Sequence, residues 1–235
     1  GERRTMTVAE GYQSEYRPEA LLDNPHCYPV EFVVRSYLGR YPSLKMDKAR
    51  YPGSTVLDLG FGDGRNLPLL RNMGMRVHGI EITEGIVQAV AGRMQKLQVD
   101  CTLAVGTNAD IPYPDMTFDH VLACHSLYYI GPGTCFADNV REIERVMKPG
   151  ARLVFSAPMT SAYYIQGAAT ADDRHFIIKT DPLGIREGAT VAAFADDDAI
   201  ATAFAPHFTD LVVGSCRDDY FGLAQDMWIA VATKA

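Results

Sequence analysis

Hydrophobic and polar positions fall into an alternating rhythm from residue 54 onward. Short apolar runs give way to stretches with apolar residues three and four apart, then to apolar runs again, which predicts strands alternating with helices. Strands are predicted at 55–60, 75–81, 101–105, 119–124 and 152–157. Helices are predicted over 64–73, from Thr83 as N-cap, and over 134–147, the last stopped by Pro149-Gly150. Pro68 falls in or near a first helical turn, where its ring is tolerated. Upstream, residues 8–50 read as mostly helical, with Glu31–Leu38 apolar on one face. Downstream the rhythm breaks. Residues 175–179 and 189–194 read as two strands flanking the turn-rich Asp181-Pro182-Leu183-Gly184, 198–207 as a helix, and 211–214 with 227–232 as a terminal strand pair.

The first strand closes on the most informative run of the chain, Val56-Leu57-Asp58-Leu59-Gly60-Phe61-Gly62-Asp63-Gly64. An acid and three alternate glycines build a tight strand-to-helix turn that offers bare backbone to a nucleoside. The second strand, Met75-Arg76-Val77-His78-Gly79-Ile80-Glu81, also ends in an acid, and a carboxylate there can accept from both hydroxyls of a ribose. A dinucleotide fingerprint would place its third glycine where this chain has Arg65.

The observed D-x-G-x-G-x-G instead resembles motif I of the class I S-adenosylmethionine (SAM)-dependent methyltransferases. Ile111–Val121 is similar to that family's L-P-F-x-D-x-x-F-D-x-V stretch entering strand four, and Arg141–Leu153 to its R-x-L-K-P-G-G-x-L turn before strand five. The resemblance spans about residues 54–160. It implies an α/β fold: a doubly wound, Rossmann-like sheet of seven mostly parallel strands with an antiparallel C-terminal strand and helices on both faces. The whole of 1–235 is expected to be one domain, with an N-terminal helical cap over 1–50, a SAM-binding core over 51–160, a substrate-lid insertion after strand five over 160–195, and a C-terminal helix and strand pair over 196–235.

The same resemblance implies the cofactor contacts. Gly60, Phe61, Gly62 and Gly64 would meet the amino-acid end of SAM, which Asp58 would help orient, often through water; Glu81 with Ile82 would hold the ribose, and Cys124 would lie at the methyl. The family's adenine-binding Asp-Ala pair falls on Thr107 and Asn108, of which Asn108 offers an amide oxygen. Tyr12 and Tyr16 are candidates to reach in from the N-terminal lid, Tyr16 foremost. His125, just past strand four, is the most suitable general base; Tyr128, Tyr129, Tyr163, Tyr164, Arg174 and His175 are candidate neighbours of the acceptor.

Composition narrows the partners. Formal net charge is −7, and residues 171–235 carry eleven acids against five Lys and Arg. A nucleic-acid substrate would favour a basic face, so a small neutral or cationic acceptor is expected. Five cysteines without a C-x-x-C pair and six scattered histidines suggest no disulfide framework and no metal. No apolar run reaches membrane-span length, and Gly1–Thr7 precedes no apolar leader segment, with Met6 a possible natural start. A cytoplasmic protein is expected, with oligomeric state open. The expected reaction is in-line methyl transfer from SAM, leaving S-adenosylhomocysteine (SAH), to an O or N nucleophile of a small molecule. C-methylation and a non-catalytic SAM-binding regulatory module are the alternatives.

Overall fold

β1 (Thr55–Leu59) is buried at every position, as befits a central strand covered on both faces. In the computed structural model, which describes residues 6–235, β1 is an interior strand of a seven-stranded sheet. Its side chains divide by parity. Leu57 and Leu59 join one apolar cluster, and Val56 joins the other on the opposite face. Helices therefore cover both faces.

The remaining core elements follow in order: α4 (Leu67–Asn72), β2 (Arg76–Glu81), α5 (Glu84–Lys96), β3 (Thr102–Val105), β4 (Phe118–Ala123), β5 (Tyr129–Ile130), α6 (Phe136–Val146) and β6 (Met147–Pro158). An insertion then contributes β7 (Ala169–Thr170), β8 (His175–Ile177) and β9 (Thr190–Ala192). The chain ends with α7 (Asp197–Phe204), β10 (Phe208–Tyr220) and β11 (Leu223–Lys234). The large sheet has the order β10-β11-β6-β4-β1-β2-β3. β3, β2, β1, β4 and β6 pair in parallel, and β11 runs antiparallel to both β6 and β10. The strand order reverses between β1 and β4, where a crevice forms at the carboxyl ends of the strands.

Before β1 lie α1 (Val8–Glu15), α2 (Pro18–Asp23) and α3 (Glu31–Leu38), then two single 3₁₀ turns. α1 starts on a capping box in which the Thr7 hydroxyl accepts from Glu10 N and Glu10 Oε2 accepts from Thr7 N. α3 buries Phe32, Val33 and Tyr37, the apolar face its sequence shows. The expected absence of a leader over Gly1–Thr7 falls largely outside the described residues.

Several boundaries differ from the sequence reading. α4 begins at Leu67 because residues 60–66 are spent on turns, and Pro68 sits in its first turn. The terminal strands are far longer than expected and form one hairpin. The expected pair at 175–179 and 189–194 is present as β8 and β9, within a four-stranded sheet β5-β9-β8-β7. Its outer strand β5 comes from the segment after β4, so the insertion is tied by hydrogen bonds to the core beside the crevice. Among the described residues no helix is long and apolar enough to cross a membrane, and no group of three metal-binding side chains occurs.

Candidate active site

The crevice opens into a cavity of about 1100 Å³. A single drug-sized ligand usually occupies about 300–1,000 Å³. The lining runs without interruption from the glycine loop to the insertion, giving room for two molecules side by side.

Backbone geometry dictates the loop. Gly60 and Gly62 hold φ of +68° and +58°. A Cβ on Gly60 would lie 2.5 Å from the Ser126 Cβ, and one on Gly62 would lie 3.1 Å from the Tyr16 hydroxyl. Gly60, Phe61, Gly62 and Tyr16 line the cavity. Gly64 does not; it faces Val90 of α5, and its role is helix packing. Arg93 of α5, almost fully buried, holds the loop from behind by donating to the carbonyls of Asp63 (2.9 Å) and His26 (2.6 Å). The sequence reading missed Arg93; its only signal was a charge on the apolar face of a helix.

Glu81 lines the cavity with both carboxylate oxygens already engaged. Oε1 accepts from Gly62 N at 3.0 Å and Oε2 from Ile82 N at 2.8 Å. Each oxygen keeps a second lone pair, so the group can still accept two hydroxyls from a fixed orientation. Burial raises its pKa while these two N–H groups oppose the rise. Ile82 follows it on the rim, half exposed.

Asp58 lies behind the loop and does not line the cavity. It is completely buried, and neither carboxylate oxygen has a hydrogen-bond partner among the described residues. Burial, with the Glu81 and Asp63 charges, pushes its carboxyl up to about 8. An unpartnered buried carboxylate is costly, and a nearby ammonium is the group that relieves it. The amino-acid end of SAM has that chemistry. Asn108 gives its amide nitrogen to the carbonyls of Ser126 (2.9 Å) and Tyr129 (3.0 Å), which leaves its oxygen as an unused acceptor at the cavity wall. Thr107 lines the rim through a bridge to Asp110. Cys124 also lines the wall, its thiol kept protonated by burial and by the Asp58 charge.

On the opposite side, His125 is a non-glycine residue at φ +55°. The Ser156 hydroxyl accepts its backbone N–H at 2.8 Å and lies 2.9 Å from Nδ1. Nδ1 is the one acceptor near that hydroxyl among the described residues, so Ser156 donates to it and the ring proton sits on Nε2. Burial, then Arg186 and Arg65, depress this imidazole to about 4. It is neutral near pH 7 and presents a donor.

The roof is aromatic. The hydroxyls of Tyr12 and Tyr129 are hydrogen-bonded to each other, and Tyr128 and Tyr129 stack at 4.8 Å. All three line the cavity with Tyr164, whereas Tyr163 does not. A Cβ on Gly11 of α1 would sit 2.9 Å from the Ile185 carbonyl, so the N-terminal cap and the insertion meet directly. Arg174 and His175 are elsewhere: Arg174 lies over the Phe194 ring at 5.2 Å, and His175 bonds Asp172 and accepts from Phe136 N. The insertion's basic residue in the cavity is Arg186, which a turn-rich sequence stretch gave no spacing signal to single out.

Residues 57–155 match the family profile described as a methyltransferase domain. A demethylmenaquinone methyltransferase of Tropheryma whipplei is 35% identical over 109 residues, 45% of this chain and 44% of that protein. A 27-O-demethylrifamycin SV methyltransferase of Amycolatopsis mediterranei is 34% identical over 106 residues, 43% of this chain and 37% of that protein. The match thus spans less than half the length of these curated relatives. A solved SAM-dependent methyltransferase of Methanosarcina mazei shares the fold with a TM-score of 0.65 at 16% identity, over 89% of this chain and 98% of that one. The glycine-loop motif, the strand order around it and this profile match agree: residues 57–155 are similar to a methyltransferase domain, and the chain has the Rossmann-like fold of the SAM-dependent methyltransferases.

Proposed function

We propose that this chain transfers a methyl group from SAM to an oxygen or nitrogen of a small molecule. The observation that carries the reading is the pairing of two differently prepared carboxylates at one glycine loop. Glu81 is pre-oriented by two backbone N–H groups, and Asp58 is buried without a partner. Glu81 would hold the ribose, Asp58 would balance the ammonium, and the Asn108 oxygen would accept from the adenine amino group. When bound, the sulfonium supplies an electrophilic methyl and leaves as a neutral thioether, so little acid assistance is required.

The remaining work falls to positioning and exclusion of water. α1 closes the roof by meeting the insertion where Gly11 packs on Ile185, and β5 through the hydrogen bond between Tyr12 and Tyr129. His125 acts from the wall as a neutral Nε2–H donor that orients the acceptor rather than as the base. The names of the relatives, one of them a 27-O-demethylrifamycin SV methyltransferase, support a small acceptor. The 160–195 insertion serves as the lid over it.

Calorimetric titration with SAM, SAH and NAD tests the cofactor assignment, and transfer of a radiolabelled SAM methyl into the low-molecular-weight fraction of a cell extract tests turnover. Binding of SAM and SAH with label transfer is expected. SAM binding without transfer to any fraction would make the chain a binding module, and NAD binding alone would overturn the reading.

A further inference from the structure

Arg186 is the one residue of the insertion that brings a full positive charge into the acceptor half of the cavity. Its anchoring is unusually complete. The Asp181 carboxylate, fully buried, accepts from the backbone N–H groups of Leu183, Ile185 and Arg186, which wraps the turn around it. The same carboxylate accepts from Nη1 of Arg186 at 3.2 Å. Nη1 also donates to the Tyr163 hydroxyl at 3.1 Å, and Nε to the Tyr129 hydroxyl at 3.0 Å. The Tyr164 ring lies 5.0 Å from the guanidinium carbon.

A guanidinium has five N–H donors in a planar fork. Three are accounted for by Asp181, Tyr129 and Tyr163. Nη2, with two, has no hydrogen-bond partner among the described residues. Asp181 is shared among five donors, the Tyr163 hydroxyl included, so it only partly offsets the charge. An amino group held this rigidly, with two unpartnered N–H donors in a space walled by aromatic rings, suits an anionic oxygen through charge-assisted hydrogen bonds.

We propose that the methyl acceptor is an aromatic acid whose carboxylate docks on the free Nη2 edge of Arg186. This rests on the methyl-transfer reading of the same cavity and adds the chemical class of its acceptor. It reverses the neutral or cationic acceptor expected from net charge, because the field inside a closed cavity is set by its lining and not by distant surface acids.

The test uses matched probes that differ only in charge: benzoate against benzamide, and 4-hydroxybenzoate against 4-hydroxybenzamide. Each is titrated by calorimetry into the full chain saturated with SAH. The acids are expected to bind at least about tenfold more tightly than the amides, the scale of a charge-assisted hydrogen bond. Arg186→Gln should erase that preference while SAH affinity stays within about twofold, and Arg186→Lys should keep part of it. Equal binding of acid and amide to the wild type, no binding of either acid, or a preference that survives Arg186→Gln would each overturn the proposal. The wild-type comparison stands even if the variants fold poorly. Failure of SAH to bind while the acids still discriminate would sink the methyl-transfer reading and leave the anion site.

Discussion

The Ser156 hydroxyl meets His125 twice, accepting its backbone N–H and donating to its Nδ1. One side chain on β6 thereby fixes both the left-handed backbone of His125 and the tautomer of its ring. His125→Gln, which can still donate a hydrogen bond, should keep kcat within about tenfold, with no ionisation of this residue in the kcat profile between about pH 6 and 8. A general base would cost about 10²–10⁴-fold. A loss of that size in stopped assays with an identified acceptor would show that Nε2 takes a proton.

Histidine burial also makes the fold sensitive to acid. His125 and His120 are both depressed from 6.5 to about 4, by burial first in each case. The unfolded chain binds more protons than the folded one between those values. Their contribution is complete above pH 6.5 and is lost as pH falls through 4. By linkage each accounts for on the order of 3 kcal/mol. Urea unfolding at pH 7 and pH 4.5 should show a steep loss in the wild type and a shallower one in His120→Gln, by roughly 2 kcal/mol. Parallel losses in the two proteins would contradict this.

Asp58 moves in the opposite direction with pH. Its carboxyl is raised from 3.8 to about 8, so the folded protein holds the extra proton across that window and loses stability as pH rises through it. A ligand ammonium placed beside Asp58 would favour the ionised form. SAH binding at pH 7 should therefore release up to about one proton, visible as a dependence of the binding heat on buffer ionisation enthalpy. Asp58→Asn should abolish that dependence and weaken SAH about tenfold or more. Buffer-independent heats in the wild type would remove Asp58 from the cofactor site.

Two glycine substitutions separate backbone strain from crowding. Gly62 and Gly133 both have positive φ, +58° and +73°. A Cβ on Gly133 meets open space, whereas one on Gly62 meets the Tyr16 hydroxyl at 3.1 Å. Gly133→Ala should cost only about 1–2 kcal/mol, the left-handed penalty, and leave SAH affinity alone. Gly62→Ala should carry that penalty and also weaken SAH by at least about tenfold, since it displaces the lid tyrosine and the Glu81 partner. Equal SAH affinities for the two variants would show that the loop is not a binding surface.

The core elements β1, β2, β4 and β6 were legible because a strand covered on both faces is rich in apolar residues, as in Val56-Leu57, Val121-Leu122-Ala123 and Leu153-Val154-Phe155. β10 was not. Its outer residues, from Gly214 to Tyr220, are mostly exposed and polar, and the ladder to β11 alone makes them a strand. β5 is two residues long and exists through its pairing with β9, a partner sixty positions away that no local pattern names. The loop residues Gly60, Gly62 and Glu81 declared themselves by spacing, because tight turns and strand-end acids are local constraints. Arg93 and Arg186 did not, because a single basic residue has no periodicity, and its meaning lies in which distant carbonyls and hydroxyls surround it.

Primary structure was thus sufficient for the α/β order, the glycine bend and the acid beside it, all of which follow from backbone conformation and burial within a few residues. Chain folding settled the rest: which nitrogen of His125 bears hydrogen, that Asp58 stands unpartnered, and that a guanidinium reaches the acceptor space. Those properties depend on desolvation and on contacts between segments far apart in the chain, and neither exists until the segments pack.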